Sequence, residues 1–136
     1  METIIFKSYY LTKSLYWLCG IGAFLSTLIF LKVELPVGDK FEISVLLVSI
    51  GAIFVIYLNR HEPHYIKLDA DEFNVVYLNK LIFKKPSAVY LRSNIKCVSE
   101  NGNLILFSEL GKQAIIREKD LEKRDWETLK RYFLSS

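Results

Sequence analysis

His61, Glu62 and His64 form the one cluster in this 136-residue chain that resembles a metal site. Two imidazoles and a carboxylate suit zinc, but the order is His-Glu-Pro-His. The His-Glu-x-x-His spacing that sets both rings on one helix face is absent, and Pro63 opposes a helix there. The cluster therefore reads as a linker, and no metal is expected. With two histidines so close together, a Ser-His-Asp relay has little material. The six glycines are scattered and build no phosphate-cradling loop. Cys19 and Cys97 lie in segments of opposite polarity, so neither a disulfide staple nor a cysteine-rich metal site is expected; both read as small buried hydrophobes. The carboxylates fall in turns and on the last helix, where solvation and ion pairs account for them. No enzyme activity and no cofactor are expected.

The remaining chemistry is charge. Lys84 and Lys85, with Lys80 and Arg92 nearby, are candidates for contact with anionic lipid or a partner, at about 1 kcal/mol per charge near a membrane surface. The plainer alternative is a solubilising strand end. A formal net charge of +3 does not imply nucleic acid.

Two apolar runs set where these residues work. Ser14–Leu31 and Ile43–Asn59 carry no charge, and a bilayer core needs roughly 17–25 helical residues. They account for most of the 51% hydrophobic content. The spacing predicts a transmembrane helical hairpin over 14–59, with helices 14–31 and 43–59 and an outer loop 32–42. Within that loop, Pro36-Val37-Gly38-Asp39 reads as a plain turn. The first run lacks a cleavage site and is followed at once by the second, so it reads as a retained signal-anchor. Gly20, Gly22, Ala23 and Ser26 in one helix, and Ser44, Ser49, Gly51 and Ala52 in the other, predict close helix packing or docking of a membrane partner. Neither span holds an acid, base or amide apart from Asn59 at its end, so a proton or ion path has no support.

Lys7 and Lys13 precede the first run, the loop 32–42 is net −1, and residues from Asn59 on are net +3. The positive-inside bias places both termini in the cytoplasm of a bacterial inner membrane. Tyr9, Tyr10, Tyr16, Trp17 and Tyr57 suit an aromatic belt at the membrane edges.

From His64 the pattern turns to period two. It predicts strands over 65–69, 73–78, 81–84, 95–99, 104–108 and 114–117, with a hairpin at Asn101-Gly102. The period then becomes helical. Asp120 is placed to cap 121–134, with Trp126, Leu129 and Phe133 as a core stripe and Glu127 paired to Arg131. Thr3–Tyr10 is β-branched and aromatic, so residues 1–13 are expected to send a strand into the same sheet. The fold class is thus a membrane α+β protein: a two-helix hairpin, and a small antiparallel sheet or partly open β-barrel capped by a C-terminal helix.

An opening strand, Leu11-Thr12-Lys13, two apolar helices, a sheet and a closing segment Ala114–Leu121 with Asp125–Phe133 resembles the YcxB-like membrane proteins. The resemblance implies a pleckstrin-homology-like (PH-like) cytoplasmic domain over 60–136, split after its first strand by the hairpin, and it brings no catalytic residues. A protein partner at the membrane is expected, either a toxin or a membrane protein, with immunity to a membrane-acting toxin or regulation as the role. Membrane lipids and a second copy of the chain are further candidate partners. The alternative is a membrane-organising or anionic-lipid-sensing module.

Overall fold

A computed structural model describes residues 1–7 and 10–135. Tyr9 of the expected aromatic belt, and residues 8–9 of the expected first strand, lie outside the described residues. The chain divides into two compact units, the hairpin and the N-terminal strand together with residues from Arg60 on.

The hairpin consists of α1 (Tyr10–Lys32) and α2 (Val37–Leu58). α1 outruns its apolar run at both ends and α2 at its start, so only residues 33–36 remain as loop. Lys13, Asp39, Lys40 and Glu42 lie outside the charge-free runs yet inside helices. Pro36 occupies the N-cap position of α2 at φ −53°, so the expected turn 36–39 is instead the entry to this helix. Asp39 in the first turn of α2 and Lys32 in the last turn of α1 complement the helix dipoles. Lys40 Nζ donates to the Phe30 carbonyl at 3.0 Å, satisfying one of the open acceptors at the end of α1.

At about 1.5 Å per residue each helix exceeds 30 Å. Both are long and apolar enough to cross a membrane, and just 6% and 11% of their most apolar windows are buried. The buried seam is built on two glycines. A Cβ at Gly22 would lie 2.7 Å from Val48 Cγ2, and one at Gly51 would lie 2.6 Å from Leu18 Cδ1. Each helix thus offers a glycine to a side chain of the other, the close approach that packing without a hydrophobic drive requires.

The second unit holds two antiparallel sheets. The first has the order β1-β2-β3-β4, from Glu2–Ile5, Pro63–Leu68, Glu72–Tyr77 and Ala88–Leu91. The second has the order β5-β6-β7, from Lys96–Glu100, Asn103–Ser108 and Gly111–Arg117. Register aligns the inward faces: Ile4 opposes Ile66, which opposes Val75, and Leu104 opposes Ile116. The Asn101-Gly102 turn has φ of 49° and 74°, the double positive φ of a type I′ hairpin. α3 (Lys123–Leu134) adds Trp126, Leu129 and Phe133 to the core.

Four local expectations are corrected. The single sheet expected is two sheets, linked where Ile115 N–H of β7 donates at 3.2 Å to the carbonyl of His61, just before β2. Residues 81–84 are loop and not strand. Buried Asn79 accepts from Leu81 N–H at 3.0 Å and donates to the Ile82 carbonyl at 2.8 Å, so its side chain replaces a ladder partner. The fourth strand lies beyond Pro86, at Ala88–Leu91. The last helix begins at Lys123, since Glu118–Asp120 forms a 3-10 turn and Asp120 gives no cap bond. Glu127 pairs with Lys130 at 2.8 Å instead of Arg131.

Candidate functional site

The polar interior of the second unit gathers where the sheets meet. Lys85, in the loop between β3 and β4, points its ammonium at the start of β7. Nζ donates to the carbonyls of Lys112 and Gln113 and to Gln113 Oε1, all at 3.2 Å, and lies 3.1 Å from His61 Nδ1. It also sits 5.2 Å over the Tyr77 ring. Gln113 extends the network: its Oε1 accepts from Tyr90 OH at 3.0 Å, and its Nε2 donates to Ser108 Oγ at 2.7 Å. Tyr77 and Tyr90 hydroxyls meet at 3.3 Å. Side chains from both sheets are thereby stitched through one ammonium.

The electrostatics fit a latch. Burial, then the charges of Lys85 and Arg60, pull His61 down from 6.5 to about 4, so the ring is neutral near pH 7 and Nδ1 offers a lone pair to Lys85. Burial also lowers Lys85, with Arg60 adding repulsion. Burial and the Tyr90 hydrogen bond push Tyr77 far above the usual phenol range. Burial raises the Cys97 thiol to about 11, which makes it a poor nucleophile.

His61 has a folded pKa below its unfolded value, so between about 4 and 6.5 the unfolded chain binds more protons. Its contribution to stability is complete above pH 6.5 and is lost as pH falls toward 4. Thermal unfolding should show a falling Tm across that window. His61→Gln, which keeps an acceptor for Lys85, should flatten the fall; an unchanged slope would remove His61 as its cause.

The other residues of the linker do not converge on His61. Glu62, 2% exposed, faces Arg117 Nη1 at 3.5 Å, and His64 packs edge-on against Tyr65 at 5.6 Å. Among the described residues no three His, Cys, Asp or Glu side chains group as metal ligands.

The four basic candidates separate. Lys80 and Lys84 are exposed in the loop, Lys85 turns inward, and Arg92 follows β4 at the end away from that loop. Arg92 lies 4.8 Å over the Tyr132 ring, in an open groove of about 520 Å³ shared with Glu2, Asp69 and Arg131. Of the hairpin candidates, Gly22 and Gly51 meet the facing helix, and Ser26 borders a 40 Å³ gap between α1 and α2. Ala52 is half-buried. A Cβ at Gly20 would meet nothing within 4 Å, and Ser49 Oγ bonds its own helix at the Val45 carbonyl.

Gln113 and the tyrosine pair are the residues that sequence reasoning missed. A register shift at Leu106/Phe107 in the β6–β7 ladder buries Gln113 beside Ala114, against strict alternation. No family model, no curated protein and no solved structure matches this chain.

Proposed function

We propose that this chain is a membrane-anchored, non-enzymatic binding module of a bacterial inner membrane, with both termini in the cytoplasm and a PH-like domain that engages a protein partner. The observation that carries the reading is the exposed surface of α1 and α2. Phe24, Leu46, Ile50 and Phe54 are each more than half exposed, on helices that carry no Asp, Glu, Lys, Arg or His across their central turns. Apolar area on this scale is unfavourable in water, at about 25 cal/mol per Å², and is at home in lipid. A four-stranded and a three-stranded sheet closed by a C-terminal helix support the PH-like assignment. The domain's wide, open grooves suit a protein surface better than a small molecule. Immunity to a membrane-acting toxin, or regulation of a membrane protein, is the role this layout fits.

The test of anchoring is alkaline carbonate extraction combined with labelling by a membrane-impermeant maleimide. In a Cys19→Ala, Cys97→Ala background, Glu34→Cys should be labelled in intact cells and Ser99→Cys only after lysis, with the chain staying in the pellet. Release into the supernatant would refute anchoring, and labelling of Ser99→Cys in intact cells would refute the orientation. For the immunity role, deleting the gene should sensitise cells to a toxin encoded beside it; indifference to any such toxin removes that role.

A further inference from the structure

Leu81, Ile82 and Phe83 are 62%, 48% and 52% exposed, three consecutive large apolar side chains at the tip of a loop. The tip has a defined shape, because Asn79 bonds its backbone on both sides and Phe83 holds φ at 55°, the left-handed region that L-residues rarely occupy. Lys80 and Lys84 flank it and are exposed. No acid occurs between Glu72 and Glu100, a stretch that carries five basic residues. An apolar tip inside a one-signed cationic segment complements an anionic surface with an apolar layer beneath it.

Connectivity supplies the second observation. His61 is three residues beyond the last residue of α2, so chain length alone keeps it within about 10 Å of that helix end. Lys85 Nζ, bonded to His61 and to the Lys112 carbonyl, ties the loop to the segment that follows α2 in the chain. Leu110, 94% exposed, tips the β6–β7 turn two residues before Lys112. We propose that the Leu81–Phe83 tip, together with Leu110, dips into the interface of an anionic bilayer, with Lys80 and Lys84 on lipid phosphates and Lys85 as the internal pin. This inference rests on the anchored reading above and names lipid as one ligand of the same domain.

The test uses the full chain with single cysteines, in the Cys19→Ala, Cys97→Ala background, labelled with an environment-sensitive fluorophore. Chains are reconstituted into vesicles of phosphatidylcholine alone, or of phosphatidylcholine and phosphatidylglycerol in equal parts. Ile82→Cys and Leu110→Cys are the test positions, Ile50→Cys marks the anchor, and Glu100→Cys, at the end of β5 beside the Asn101-Gly102 turn, is the aqueous control. In the mixed vesicles the labels at 82 and 110 should shift to the blue and be quenched by shallow spin-labelled lipid, while the label at 100 stays open to iodide. Lys80→Gln and Lys84→Gln should each lower the ratio of inserted to withdrawn tip about 5-fold.

If position 50 is deep in lipid while 82 and 110 stay in water, the wedge is refuted, the anchor stands, and the tip belongs to a protein surface. If position 50 is also in water, the anchored reading fails and the wedge with it. Equal insertion in both vesicle types, unmoved by the lysine substitutions, would overturn the phosphate contacts.

Discussion

Arg117→Met is expected to cost the domain about 3–5 kcal/mol, the usual result of removing one partner of a buried ion pair. Glu62 is 2% exposed, and Arg117 Nη1 approaches its Oε1 at 3.5 Å. Methionine keeps the volume and removes the cation, so the buried carboxylate loses the attraction of this guanidinium. Adding Glu62→Gln to Arg117→Met should restore much of the loss, since a neutral pair of similar shape has no ionic attraction to lose. The measurement is denaturant unfolding of the full chain in detergent. Trp126 fluorescence reports on the domain once Trp17, which is 67% exposed on α1, has become phenylalanine. A single variant as stable as the parent, or a double variant no better than the single, would show that the pair is not what holds Glu62.

Phe73→Ala should be comparably damaging, at about 3–5 kcal/mol for an aromatic truncated in a closed core. Phe73 is 1% exposed and packs against Phe133 at 5.0 Å, Tyr90 at 5.5 Å and Tyr132 at 6.3 Å. One ring therefore joins β3, β4 and α3, and its removal opens contacts in all three. Val89→Thr on the exposed face of β4 should stay within about 0.5 kcal/mol, as surface substitutions do. Similar losses for the two variants in the same detergent assay would mean that the core is not organised around Phe73.

The hairpin was legible because two charge-free runs of that length have few other uses, but charge alone misplaced the helix ends. Lys13 and Glu42 are good helix residues that stop an apolar run without stopping helical hydrogen bonds. The Asn101-Gly102 turn was legible because both residues accept positive φ. Residues 81–84 were misread as strand because three consecutive apolar residues carry no period, and the deciding group, the Asn79 amide, acts through a local bond that competes with pairing. Lys84 and Lys85 are neighbours of identical type. One faces solvent and the other closes a network through Gln113, and only the β-bulge opposite Phe107 shows which is which.

β1 pairs with β2 across the whole hairpin, Ile4 against Ile66. During synthesis this first strand is made early, then waits while α1 and α2 emerge before its partner exists. Joining ends so distant in sequence is slow for a free chain. An antiparallel α1–α2 pair returns the backbone to its starting side and shortens the effective gap. Completion of the sheet edge is therefore coupled to assembly of the hairpin, and a copy whose hairpin fails would show β2 as a bare edge to quality-control proteases.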